Sequence, residues 1–143
     1  MRLGGIDLPH DQSAVGHSDA DVLLHAVIDA LLGAAGLPDI GQMFPDTEPA
    51  NRGRDSREML AIAWKKVADH GFRIVNLDSI VFVQHCKISP HKQSLRSSLA
   101  DLLGVPIERV NVKAKTGEEV GPIGRGEAIA AQCVVLLEPD LPA

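Results

Sequence analysis

The sequence predicts an α/β chain of the α+β sandwich kind, a mixed sheet of the four-stranded type covered on one face by helices. Three observations carry this. Apolar stretches of strand character alternate along the chain with apolar stretches of helical spacing. The length of 143 residues is that of one ordinary domain with one core. Apolar residues make up 45 % of the chain while aromatics make up 3 %, with no tyrosine, so that core is aliphatic.

The elements follow in order. Leu3 to Leu8 reads as a short strand start that Gly4 and Gly5 weaken. A helix is predicted over Ser18 to Gly33, with Ser18 as N-cap and Asp21 as a capping-box variant. Its segment from Val22 to Leu32 is apolar almost all round, which predicts burial, and Gly36 and Pro38 stop it. Asp39 to Arg54, rich in Gly, Pro, Asp and Asn, reads as a long surface loop of the functional kind. A second helix is predicted from Ser56 to His70, ended by Gly71, with Leu60, Ala63, Trp64 and Val67 at helical spacing.

Asp78 to Gln84 reads as a buried strand. Ser89 and Pro90 then open a third helix, whose core face is Leu95, Leu99, Leu102 and Leu103 and which Gly104 closes. Val110 to Ala114 is a strand, Thr116 to Gly126 a glycine-rich loop with tight backbone demands, and Ala128 to Leu137 the last strand. With no internal repeat, low-complexity tract or linker, residues 1–143 read as a single domain.

Charge and composition remove several partners. A net charge of −5 without a basic stripe argues against nucleic acid, and the scarcity of aromatics argues against a base-stacking platform. No apolar run reaches the roughly 20 residues that cross a bilayer, and the first residues do not resemble a signal peptide. Cys86 and Cys133 lie far apart without metal-ligand spacing, which points to a reduced, cytoplasmic setting.

Three constellations can carry chemistry. Asp21, His25 and Asp29 recur every four residues and form one polar stripe on an otherwise apolar helix. Such groups need partners. A metal on His25 with an acid behind it would satisfy them, and so would pairing of Asp21 and His25 with each other or with backbone. His17 and Ser18 stand at the start of the same helix, where free N–H groups favour an anion, although Ser18 can also be a cap alone. The second constellation is Lys113, Lys115, Thr116, Glu118 and Arg125 around the glycine-rich loop. Its backbone N–H groups, hydroxyl and cations suit phosphate, and Glu118 suits a Mg²⁺ bridging two phosphates, while the order of a P-loop is absent. The third is the run from Gln84 to His91 between a strand and a helix start, where nucleotides often sit and where a plain connector is the alternative.

Taken together these stretches resemble the 2-C-methyl-D-erythritol 2,4-cyclodiphosphate synthase family. His17 to Ala26 reads HSDADVLLHA, like the family's HSDxDVxxHA. Asp39-Ile40-Gly41 with Phe44-Pro45-Asp46-Thr47 is similar to its DIGxxFPDT loop, and Asp55-Ser56-Arg57 to its next helix start. Asn111 to Ala114 and Gly124 to Glu127 resemble its C-terminal motifs. The resemblance runs through essentially the whole chain from Leu3 onward.

It implies a homotrimer of α/β subunits with active sites between neighbours. The implied reaction is cyclisation of 4-diphosphocytidyl-2-C-methyl-D-erythritol 2-phosphate to the 2,4-cyclodiphosphate with loss of CMP, a lyase step of non-mevalonate isoprenoid synthesis. By the same resemblance His17 and Thr116 stabilise the transition state, and His17 and Ser18 contact the phosphorylated end of the substrate. His25 is a ligand of Zn²⁺ or another divalent transition metal. Glu118 goes with a Mg²⁺ or Mn²⁺ between the α- and β-phosphates. Asp39, Ile40 and Gly41 contact substrate, and Phe44, Pro45, Asp46, Thr47 and Glu48 form a loop that closes on it. Val83, Lys87, Ile88 and Ser89 belong to the cytidine pocket, and Lys115 and Gly117 to the substrate loop, where the family often has threonines. Arg125 is expected near the trimer axis, and Pro122 stands where an aromatic residue is common.

One departure shapes the expectation. The family begins with a strand carrying Asp-x-His, two of its three zinc ligands, whereas this chain starts at what resembles the second strand. Weak zinc binding and slow or absent cyclisation are therefore expected. The competing readings are a non-catalytic trimer that binds cytidine nucleotide or isoprenoid diphosphate, and an unrelated monomeric phosphate-binding domain.

Overall fold

Alternating strands and helices are what the chain forms in the computed structural model, which describes residues 1–10, 14, 16 and 18–142. Strands β1 (Arg2–Leu3) and β2 (Ile6–Asp7) close an antiparallel hairpin. There follow helix α1 (Val22–Ala34), the single turn α2 (Ile40–Met43) and helix α3 (Ser56–Asp69). Strand β3 (Phe72–Phe82), helix α4 (Lys92–Leu103), strand β4 (Val110–Lys115), the short α5 (Gly121–Gly124) and strand β5 (Ala130–Pro139) complete the order. The sheet runs β4–β3–β5, with β3 parallel to β4 and antiparallel to β5. It is mixed and helix-covered as the sequence predicts. Among the described residues it has three strands rather than four, because Gly4 and Gly5, both at positive φ, turn β1 back onto β2.

Period-two alternation sorts the sheet into two faces. Leu77, Val81, Val110 and Val112 are buried beneath the helices, and Ile80, Val134 and Leu136 point the other way. A bulge between Ile74 and Asn76 keeps both Ile74 and Leu77 in the core although they are three positions apart. The polar Arg73 and Asn76 are why the front half of this strand does not read as one from sequence. The core is aliphatic. Helix α1 alone buries Leu23, Leu24, Val27, Ile28, Leu31 and Leu32, each worth about 1.5–3 kcal/mol of transfer free energy when fully covered.

The helix expected to begin at Ser18 begins at Val22. Ala20 has φ +57°, a left-handed residue that interrupts any helical path from Ser18 to Asp21. Asp21 is the N-cap, accepting the Leu24 N–H at 3.0 Å. The second helix keeps its sequence-predicted start but is capped by Asp55, and Gly71 at φ +85° lies just beyond its end. Asp39 to Arg54 is a surface connection, as read, that winds into α2 and a 3₁₀ turn over Pro49–Asn51. The Ser89–Pro90 start is likewise a 3₁₀ turn, Ser89–His91, before α4. Among the described residues no helix is long and apolar enough to cross a membrane.

Candidate active site

The kink at Ala20 sends its two acidic neighbours in different directions. Asp21 is fully buried and accepts Gly4 N–H at 2.9 Å and Gly5 N–H at 2.8 Å, besides its Leu24 cap bond. It therefore ties the N-terminal hairpin to the start of α1. Burial drives its carboxyl above the ordinary range, against the opposing pull of those three N–H donors. Asp19 turns instead to α3, accepting the Ser56 N–H at 3.1 Å on Oδ2 and the Ser56 hydroxyl on Oδ1.

One turn into α1, His25 meets the same serine. Its Nε2 lies 2.8 Å from Ser56 Oγ and 3.1 Å from Ser18 Oγ. Asp29, another turn on, accepts the N–H of Ile40 at 2.8 Å and anchors α2. Of the three stripe residues, Asp21 and Asp29 thus serve backbone, and His25 alone is left to side-chain hydroxyls.

His25 and Ser18 line a cavity of about 310 Å³ with Ile40, Gly41, Phe44 and Asp46. The loop over it is braced. The Arg54 guanidinium lies 5.2 Å from the Phe44 ring centroid, Arg54 also donates to Asn51 Oδ1, and the buried Asn51 donates to Pro45 O at 2.7 Å. Asp39 caps α2 through Gln42 N–H at 2.9 Å. Thr47 and Glu48 are exposed on the outer side of this loop and do not line the cavity. His17 lies outside the described residues.

The remaining sequence-predicted residues gather where the parallel strands β3 and β4 end. Val83 N–H donates to Lys115 O at 2.9 Å, and Gly117 N–H donates to Gln84 Oε1 at 3.0 Å. The loop from Val83 to Ser89 is thereby laced to the turn holding Lys115, Thr116, Gly117 and Glu118. Val83 and Ile88 are buried beneath it, while Lys87, Ser89, Lys115, Thr116 and Glu118 are exposed. Glu118 and Glu119 adopt φ +50° and +62°, and Glu118 N–H donates to Thr116 Oγ1. Arg125 is paired with Glu127 at 2.8 Å.

This turn is held by two glycines. A Cβ on Gly117 would come within 2.8 Å of the Gly124 Cα, and one on Gly124 within 2.8 Å of the Glu119 Cα. Gly124→Ala is expected to cost about 1–3 kcal/mol through the forced backbone shift, measured as a lowered urea midpoint. A midpoint unchanged from the parent would mean the close approach carries no weight.

The donor set decides what each group can hold. Catalytic zinc takes three protein ligands. His25 supplies one, and among the described residues no group of three or more His, Cys, Asp or Glu stands ready for a metal. Glu118 is a single exposed carboxylate, which suits a Mg²⁺ otherwise held by substrate phosphates. Neither thiol is poised to react. Burial raises Cys86, and burial followed by the charge of Asp78 pushes Cys133 up to about 12.

Ser56 and Asp19 are the contributors that motif reading left without a role. The only local signal is that Ser56 opens a helix whose cap is Asp55. Its partner His25 is 31 residues away, so the contact exists only once α1 and α3 pack.

Comparison with known proteins bears on this geometry. The sequence model of the YgbB family matches residues 1–138. The 2-C-methyl-D-erythritol 2,4-cyclodiphosphate synthase of Rhodopirellula baltica is 52% identical over 137 residues, 96% of this chain and 82% of that protein. The bifunctional IspDF of Campylobacter jejuni superposes with a TM-score of 0.93 at 40% identity, over 97% of this chain and 38% of that one. A 2C-methyl-D-erythritol-2,4-cyclodiphosphate synthase solved in its CDP-bound form matches with a TM-score of 0.88 at 36% identity, over 96% of this chain and 89% of its own.

Proposed function

The chain belongs to the YgbB family, and from that membership we propose that it is the cyclising lyase its relatives are named for, making 2-C-methyl-D-erythritol 2,4-cyclodiphosphate in non-mevalonate isoprenoid synthesis. The substrate is 4-diphosphocytidyl-2-C-methyl-D-erythritol 2-phosphate. An oxygen of its 2-phosphate forms a bond to the β-phosphorus. The bond from that phosphorus to the bridging oxygen breaks, and the electron pair leaves on CMP. No protein nucleophile is needed, so catalysis is positioning plus neutralisation of charge.

The observation that carries this reading is the cavity where His25 and Ser18 face Ile40, Gly41, Phe44 and Asp46. Its described lining holds one imidazole and one carboxylate and neither ammonium nor guanidinium. A phosphate there calls for added positive charge; His25 would be one ligand of a Zn²⁺ or another divalent transition metal, and among the described residues no ready group of three stands beside it. Such an ion would polarise a phosphate beside it. Ser18 grips the phosphorylated end, with His17, and the Phe44 to Glu48 loop excludes water from it. Asp39 and Ile40 hold the loop's first turn, and Gly41 lets the substrate approach.

At the other end Val83, Lys87, Ile88 and Ser89 receive the cytidine. Lys115, Thr116 and Gly117 hold the diphosphate, Glu118 would take a Mg²⁺ or Mn²⁺, and Arg125, paired with Glu127, lies toward the trimer axis. That one known relative binds CDP supports a nucleotide at such a pocket.

The two groups become one site between protomers of a homotrimer. The outward face of the sheet supports this, since Val134 is 73% and Leu136 is 56% exposed there. Val134→Asp with Leu136→Asp is expected to yield monomers in sedimentation and to abolish turnover while the fold is retained. An unchanged sedimentation coefficient would place the interface elsewhere. We assign the reaction to the cytoplasm, in keeping with two free cysteines.

Phosphorus NMR on the chain with substrate, Zn²⁺ and Mg²⁺ tests the function. The expected result is a cyclic diphosphate appearing slowly as CMP is released. Cytidine nucleotide binding with no release would favour the non-catalytic trimer.

A further inference from the structure

We propose that Ser56 and Asp19 are positioning residues that hold the His25 ring as its Nε2–H tautomer and so leave Nδ1 as its basic nitrogen. The direction of each hydrogen bond follows from chemistry. A carboxylate only accepts, so the hydroxyl of Ser56 spends its single proton on Asp19 Oδ1. Asp19 Oδ2 accepts the Ser56 N–H at 3.1 Å, so both oxygens grip the same residue and the serine cannot rotate away. The Ser56 oxygen can then only accept from His25, and Nε2, 2.8 Å away, must carry the hydrogen.

Ser18 Oγ at 3.1 Å is a second oxygen toward the same N–H, and it also takes the N–H of Ala20. Among the described residues Nδ1 has no hydrogen-bond partner. A neutral imidazole protonated on Nε2 keeps its lone pair on Nδ1, the nitrogen that can take a cation or a proton.

The fold enforces this arrangement from three separate places. Ser56 is fully buried at the first position of α3. The left-handed Ala20 aims Asp19 at it, and the tied helix start sets the rotation of α1 that presents His25. If Asp19 merely capped α3 through the Ser56 N–H, the tautomer of His25 would not depend on it. This assignment rests on His25 being the working group of the proposed site, but its test needs neither substrate nor metal. A failed cyclase assay and a failed tautomer assignment are therefore separate results.

The test is a long-range proton–nitrogen correlation spectrum of metal-free protein with ring-labelled histidine, recorded well above the imidazole titration range. His25 in the parent chain is expected to show one tautomer, Nε2–H. In Asp19→Asn the Ser56 hydroxyl is freed to donate to the ring, and the Nδ1–H form is expected to gain at least a several-fold share. Ser56→Ala should loosen the preference in the same way, and Ser56→Thr, which keeps the hydroxyl, should restore the parent spectrum. A parent His25 protonated on Nδ1, or a tautomer ratio that neither Asp19→Asn nor Ser56→Ala changes, overturns the assignment.

Discussion

Replacing Asp21 by asparagine is expected to lower the free energy of unfolding by about 2–4 kcal/mol, seen as a lower urea midpoint at unchanged slope. The side chain has no exposure, and both oxygens are committed. Oδ1 accepts from Gly4 at 2.9 Å and Leu24 at 3.0 Å, and Oδ2 accepts from Gly5 at 2.8 Å. An asparagine amide puts an NH₂ where one of those oxygens was, so a donor faces a donor in a place water does not reach. One hydrogen bond is worth about 0.5–1.5 kcal/mol and an orphaned buried N–H costs about 1–3 kcal/mol. The hairpin would lose its tie to α1, and with it the seating of its own fully buried Leu3. A cost within the ±0.5 kcal/mol of an ordinary surface change would refute this.

The same carboxyl has a pH signature of defined sign. Burial raises its folded pKa above the ordinary 3.8. Between 3.8 and that raised value the native state binds more protons than the unfolded state. The contribution to stability is thus complete below 3.8, falls as pH rises through the raised folded value, and is flat beyond it. Asparagine does not titrate, so the gap in stability between parent and Asp21→Asn should be widest in acid and narrow with rising pH. Urea titrations of both chains across the acid range read the difference directly, and a gap that widens with pH would reverse the sign.

Much of this was legible in the residues themselves. The apolar stripe from Val22 to Leu32, the Gly104 stop and the β4 strand all come from local patterning, and the structure has them within a few residues. The start of α1 was not legible, because Ser18 has the right chemistry for a cap and only the backbone at Ala20 shows why Asp21 has the place. The front of β3 was hidden by Arg73 and Asn76, whose compensation is a bulge that sequence spacing does not reveal. At the site, residues adjacent in sequence were found together, as with Thr116, Gly117 and Glu118. Ser56 went without a role because what matters about it is a neighbour 31 positions away. Long-range packing makes that contact, and no local pattern encodes it.

That contact frames the largest effect expected on catalysis. His25→Gln should lower kcat/KM for CMP release by about 10²–10³-fold, the loss typical when one preorganised group that meets developing charge is removed. This is about 3–4 kcal/mol of transition-state stabilisation. Glutamine is the demanding replacement. It is a good helix former at the end of the first turn of α1, and its amide can still reach the hydroxyls of Ser18 and Ser56 that surround the ring. The fold and the cavity wall should therefore survive, with a thermal midpoint close to the parent's. What glutamine lacks is a basic nitrogen able to bear a cation or a proton beside the phosphate. If the imidazole only fills space and satisfies Ser56, the variant would turn over within a few-fold of the parent, and the phosphate end of the substrate would have to be sought elsewhere on the chain. A loss of the expected size with an unaltered melting curve leaves the chemistry of that nitrogen as the cause, because packing, helix propensity and hydroxyl partners have all been held in place.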